Sequence, residues 1–269
     1  MATSNPAFNS PAFSLNQSSA IMHRAATPSS EQLDELYGKP SATPEQTDRM
    51  TYEDTIRKAV GAFVVVALGA AVGWFLPVLA IPAAIVGFVL ALVNIFKKKP
   101  SAGLVLAYSA VQGIFAGGIS AIFEAMPQYS GIAIQALLGT AAVFVVTLLL
   151  FRSGKIRASK KATKVFLIAM IGYAVFSLIN VGMMLFGATD NAFGMRSAEI
   201  FGIPIGLILG VLVVLLAAYS LVLDFDQIKT GVENGAPRMF AWRAVFGIVL
   251  TVIWLYIEIL RMLAILRGE

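Results

Sequence analysis

Four ionisable side chains stand out because of where they fall. Asp224 and Asp226 lie in the run Asp224-Phe225-Asp226-Gln227-Ile228-Lys229, immediately after the apolar stretch 204–223, and Glu258 and Arg261 lie inside the apolar stretch 241–266. Charge is costly in hydrocarbon, so ionisable groups within membrane-length apolar runs are candidates for function. Carboxylate oxygens bind hard cations such as Ca²⁺ and also accept protons. Taking a carboxylate out of water disfavours its ionised form, so protonation could close or empty such a site. The chemistry on offer is cation and proton binding, with Asp224, Asp226 and Glu258 as ion or proton sites and Asp224 as the metal-contacting one.

Helix geometry sorts these residues. At about 100° per residue, Asp226 falls roughly 200° from Asp224. One aspartate can therefore face inward while the other faces water; Asp224, the deeper, is the inward candidate and shares its side with Gln227 and Ile228. Both could equally cap the helix at the water interface. Glu258 lies about 25 Å along its helix from Ala241, below the surface of a core about 30 Å thick. Arg261, three residues on, shares its face and is close enough to pair with it; a neutralising pair near the interface, with Arg261 snorkelling, fits the same spacing.

The elements that position these groups are membrane spans. The chain has 269 residues, 58% hydrophobic and 13% charged, with mean hydropathy +0.81; soluble domains carry about 25% charged residues. Apolar runs of spanning length occur at 56–76, 79–96, 103–123, 132–151, 162–186, 204–223 and 241–266. The pattern predicts an all-α integral membrane protein with seven spans, residues 51–269, preceded by a disordered tail over residues 1–50. That tail is rich in Ser, Pro, Ala, Thr and Asn and carries a short repeat, Asn5-Pro6-Ala7-Phe8 and Ser10-Pro11-Ala12-Phe13, a composition too polar to offset its ordering entropy. Thr51 is an N-cap candidate for the first helix, with Glu53 and Asp54 in its first turn.

The net charge of +5 is distributed by loop. Lys97 to Lys99, then Arg152, Lys155, Arg157, Lys160, Lys161 and Lys164, then Lys229, Arg238 and Arg243 follow spans two, four and six, whereas the loops after spans one, three and five hold only Arg196. This bias places the N-terminus in the cytoplasm. It is not a nucleic-acid footprint, and no nucleic-acid partner is expected. The partner that composition demands is the lipid bilayer.

Enzyme classes fall away on composition. There is no cysteine, and the one histidine, His23, lies in the tail. Thiol and zinc-thiolate chemistry, a histidine-dependent serine protease and a His-Glu-x-x-His metalloprotease are all out of reach. An intramembrane aspartyl protease needs aspartates in two neighbouring spans, and only the sixth offers any. No enzymatic activity and no resident cofactor are expected. Glycines recur every fourth residue at Gly69 and Gly73, Gly113 and Gly117, and Gly202, Gly206 and Gly210. Such stripes allow close helix packing, inside one bundle or between copies, and assign no oligomeric state.

The motifs resemble the Bax inhibitor-1 family, in its bacterial YccA-like branch. Asp224-Phe225-Asp226-Gln227-Ile228 is similar to that family's Asp-x-x-Gln-Ile signature, and residues 254–266, from Trp254 to Leu266, resemble its terminal helix. The resemblance covers residues 51–266. It implies a bundle with the last helix central and six others around it, in the inner membrane of a bacterium. It also implies a pH-sensitive Ca²⁺ leak, with Ca²⁺ entering only as the permeant ion, or alternatively a non-conducting cytoprotective regulator of a membrane-bound AAA protease. Asp224 matches one aspartate of the family's proton-sensing pair, and Arg261 matches the arginine of its last helix. The chain departs from leak-type members at Thr251, where they carry the second aspartate, and in 79–96, which has no acidic residue. Thr251 can hydrogen-bond Asp224 but cannot share a proton as a carboxylate pair does, leaving Asp226 or Glu258 as substitutes. Gln227, Thr251 and Arg261 are the expected supporting polar contacts.

Overall fold

Long apolar runs can cross a bilayer only if every backbone group is satisfied within the segment, and the helix does that. The computed structural model describes residues 48–189 and 193–268, and within them seven helices are long and apolar enough to span a membrane. They are α1 (Tyr52–Phe75), α2 (Ala80–Phe96), α3 (Ala102–Glu124), α4 (Ile132–Arg152), α5 (Lys160–Leu185), α6 (Ile205–Glu233) and α7 (Ala241–Arg267). The expected tail, its repeat and His23 lie outside the described residues, apart from residues 48–50. Those three do not belong to a disordered segment. Met50 is buried and its N–H donates to the Ala236 carbonyl at 2.7 Å, while the Arg238 N–H donates to the Asp48 carbonyl at 2.8 Å.

Local signals set the helix ends. The Thr51 hydroxyl accepts from the Asp54 N–H at 3.1 Å, satisfying one of the free donors at the start of α1. A 3₁₀ turn at Pro77–Leu79 divides α1 from α2, and Lys97 to Pro100 end α2. The Glu124 carboxylate reaches across the next turn and accepts from the N–H groups of Gly131 at 2.8 Å and Ala133 at 2.9 Å, capping α4 from the end of the preceding helix.

Two sequence expectations are corrected here. Span six does not stop at Asp224: α6 continues to Glu233. Its buried face carries Leu221, Phe225, Ile228 and Val232 at helical spacing, and the last two pack with Met50, Ala241 and Ala244. Asp226, Lys229 and Glu233 lie off that buried stripe. The stretch after α5, expected to be a polar loop, instead holds a 3₁₀ turn at Gly194–Ser197 and a two-residue hairpin pairing Glu199–Ile200 with Ile203–Pro204. Gly202 is a turn residue of that hairpin with φ of 75°, not part of a packing stripe.

The last helix is central. Over their most apolar stretches 56% of α7 is buried, against 6% of α5. α7 packs against α1, α3, α4 and α6 and contributes to both large cores: Ile248, Leu255 and Ile259 pack with α4 and α6, while Val245, Val249 and Ile253 pack with α1 and α3. The remaining glycine stripes are internal. A Cβ at Gly69 or Gly73 would strike the carbonyls of Ala110 or Ile114, and one at Gly113 or Gly117 those of Val66 or Ala70. α1 and α3 therefore touch backbone to backbone, as close small-residue packing allows.

Candidate functional site

Two polar stations lie on one face of α7. Thr251 and Glu258 are seven residues apart, so they sit almost directly above one another, about 10 Å apart along the axis.

The first station joins α6 to α7. Thr251, 2% exposed, donates its hydroxyl to Asp224 Oδ2 at 2.8 Å, and Ser220 Oγ lies 3.2 Å from Thr251 Oγ1. Thr251 has a single hydroxyl proton, so Ser220 is the donor in that second bond, and the chain runs Ser220 to Thr251 to Asp224. Ser220 precedes Asp224 by one turn and shares its face. Gly247, one turn before Thr251, leaves space for the carboxylate: a Cβ there would fall 2.7 Å from Asp224 Oδ1. Asp224 is half-buried. One carboxylate and two hydroxyls are fewer oxygens than the six to eight that a tightly held Ca²⁺ takes. Among the described residues no three His, Cys, Asp or Glu side chains converge. The donor set suits passing contact with a cation rather than a resident ion.

Asp226 and Gln227 do not join this station. Both line a cavity of about 330 Å³ with Met50, Asn234, Phe240 and Arg243 at the basic-loop end of the bundle, and Gln227 is exposed. Gln227 keeps the side of α6 expected for it on the continuing helix but lies a turn further toward the basic loops, exposed to solvent rather than set against Thr251.

The second station is a buried charge cluster. Glu258 is 1% exposed. Its Oε1 accepts from Arg196 Nη1 at 3.1 Å, and its Oε2 accepts from Arg261 Nη1 at 3.0 Å and from the Tyr173 hydroxyl at 2.7 Å. The Arg261 pairing is the one its spacing suggested. Tyr173 also accepts from Arg196 Nη2 at 3.0 Å, and Ser177 accepts from the same nitrogen at 3.3 Å. The Arg196 guanidinium lies 5.3 Å from the Tyr173 ring and 5.6 Å from the Phe176 ring, within cation–π range. One carboxylate thus faces two guanidinium groups, and both of its oxygens are occupied.

Arg196, read in the sequence only as a loop charge, and Tyr173 are not among the expected site residues. Arg196 is 62 residues from Glu258 and 4% exposed, although its surroundings read as a wet loop. Two signals pointed to it. It is the lone basic residue in the loops of its end of the bundle, and α5 carries Tyr173, Ser177 and Asn180 at i, i+4 and i+7, one polar stripe on an apolar helix. Asn180 completes the cradle: its Oδ1 accepts from the Met195 N–H at 2.7 Å and its amide donates to the Phe193 carbonyl at 3.3 Å, fixing the segment that carries Arg196. Between the two stations the seam is apolar, with Leu255 of α7 and Val213, Ala217 and Leu221 of α6 fully buried.

A bundle of seven membrane-length helices, wrapped on a last helix that carries a buried carboxylate, defines a polytopic helical membrane protein. The match to known families is specific: the chain belongs to the Bax inhibitor-1 family, whose model, described as Bax inhibitor 1 like, matches residues 5–268. That match begins well upstream of residue 51, so it includes most of the tail that the resemblance in sequence left out. No curated protein matched the chain.

Proposed function

We propose that the protein is a pH-sensitive cation leak, conducting Ca²⁺ along the seam between α6 and α7. The observation that carries this reading is the placement of Asp224, through Thr251, and Glu258 on one face of the most buried helix. Asp224 is the cation or proton station at the basic-loop end, which the positive-inside bias makes cytoplasmic. Glu258 is the station at the far end, in the inner membrane of a bacterium. The arrangement described here is the closed one: Leu255 fills the turn between the stations, and Arg196 and Arg261 occupy both oxygens of Glu258. A cation can reach Glu258 only after Arg196 leaves it. Protonation of Asp224 removes the one negative charge of the inner station, which links conduction to pH.

The test is Ca²⁺ influx into proteoliposomes between about pH 6 and 8, comparing the wild type with Asp224→Asn. The expected outcome is a flux that changes with pH in the wild type and no longer does so in the variant. Absence of protein-dependent flux at every pH, from folded protein, would overturn the reading. A second reading then takes its place, a non-conducting regulator that contacts a membrane-bound AAA protease through the tail and basic loops. Thr251 favours it, because a hydroxyl in place of a second carboxylate gives Asp224 a fixed hydrogen bond and no shared proton. Neither reading makes the protein an enzyme.

A further inference from the structure

α5 is the helix that packs least on the rest of the bundle, and its first three turns form one wall of an open groove of about 590 Å³ whose other wall is α6. The groove is amphipathic along its length. Lys160 and Lys164, one turn apart, stand at its mouth with Thr163 between them, and Leu167, Ile168 and Ile171 continue along the same side of α5 at helical spacing. Leu223 closes the α6 wall. The three apolar α5 residues are 53%, 62% and 65% exposed, although they face a concave surface. No ion pair with a described residue engages Lys160 or Lys164. Asp226 lies on the α6 wall beyond ion-pair distance of both.

The groove is braced rather than left ajar. The Tyr219 hydroxyl lies 3.0 Å from Thr163 Oγ1 and packs its ring 5.5 Å from that of Phe166. α5 is thereby tied to α6 just above the lysines. Two free ammonium groups over an exposed apolar trough complement a phosphate carrying an acyl chain. A soluble anion would use only the mouth, and an acyl chain alone only the trough.

We propose that this groove binds an anionic glycerophospholipid of the leaflet on the basic-loop side, with its phosphate between Lys160 and Lys164 and one acyl chain along Leu167, Ile168 and Ile171. Asp226 on the facing wall disfavours a second negative charge, so a singly charged headgroup such as phosphoglycerol fits better than a more highly charged one. The site does not depend on whether the bundle conducts.

The full chain, purified in detergent, would be titrated with dioleoyl phosphatidylglycerol and, separately, with dioleoyl phosphatidylcholine, counting bound lipid by native mass spectrometry. One phosphatidylglycerol should be retained in preference to phosphatidylcholine. Lys160→Gln with Lys164→Gln should weaken it roughly 10- to 30-fold. Lys160→Arg with Lys164→Arg should keep it, which separates lost charge from misfolding. Replacing Lys97, Lys98 and Lys99 by Gln, a second basic cluster of the same face, should leave it unchanged. Equal retention of the two lipids, or equal loss in the Lys97–Lys99 variant, would overturn the proposal. So would competition by glycerol 3-phosphate at concentrations comparable to the lipid, because the trough would then contribute nothing.

Discussion

The two carboxylate stations of α7's polar face differ in how their charge is held. Asp224 is half-buried and accepts one hydrogen bond from a neutral hydroxyl, with Gly247 leaving room on its other side. Glu258 is fully buried and accepts from two guanidinium groups and a phenol, drawn from α5, α7 and the segment between α5 and α6. The first arrangement is a carboxylate that can change partner. The second is a carboxylate that cannot be left alone, since a buried charge survives only when paired and hydrogen-bonded. One station therefore leaves its carboxylate room to change partner and the other holds segments together, although Thr251 and Glu258, which anchor them, share one face of α7.

The largest effect should come from breaking the held station. Glu258→Ala would leave Arg196 buried against α7 without its carboxylate, and removing one member of a buried pair costs about 3–5 kcal/mol. Denaturant-induced unfolding in detergent should show this loss, with faster amide exchange across residues 193–198 as the segment carrying Arg196 detaches. Replacing the whole cluster, Glu258→Leu with Arg196→Met and Arg261→Leu, should cost less than Glu258→Ala alone, because no charge is then stranded. If the triple variant were the less stable of the two, the cluster would be a source of net stability and the contrast with Asp224 would weaken.

What was legible in the sequence follows the same division. Spans were legible because hydrocarbon imposes a length and an apolar composition on each segment, whereas the central place of the last helix was legible only through the family resemblance. The Asp224 hydrogen bond from Thr251 was within reach because the family resemblance sets Thr251 where leak-type members carry the aspartate that pairs with Asp224. Arg196 was harder to place: its isolation as a loop cation and the Tyr173, Ser177 and Asn180 stripe of α5 set it apart, but neither says that it folds back 62 residues to a buried glutamate. The end of α6 was misjudged for a related reason. A charged run reads as a helix stop at the membrane edge, yet Phe225, Ile228 and Val232 continue the buried stripe beneath it. Placement of Asp226 and Gln227 depended on the rotation of α6 about its axis, which packing against α7 decides and composition does not.

An intermediate effect tests the space around the exchangeable station. Gly247→Ala would set a methyl group 2.7 Å from Asp224 Oδ1, and relieving that contact means displacing the carboxylate or separating α6 from α7. Overpacking of this kind costs about 1–3 kcal/mol. The loss should be smaller than for Glu258→Ala, because a half-buried carboxylate can swing toward water. A cost equal to that of Glu258→Ala would mean that Asp224 is as tightly fixed as Glu258.

The smallest effect isolates the hydrogen bond itself. Thr251→Val keeps the shape of the side chain and removes the donor to Asp224, along with the acceptor for Ser220. A half-buried carboxylate can replace a lost donor with water, so the expected destabilisation is about 1 kcal/mol. Thr251→Ser restores the hydroxyl and should recover most of it, whereas a simple packing defect would be made worse by the smaller side chain. Unfolding of the two variants side by side distinguishes these outcomes. If Thr251→Val were as costly as Glu258→Ala, Asp224 would have no route to water, and the station could exchange neither protons nor cations with the basic-loop side. A small loss, recovered by serine, leaves Asp224 as the one carboxylate on this face of the seam free to change its partner.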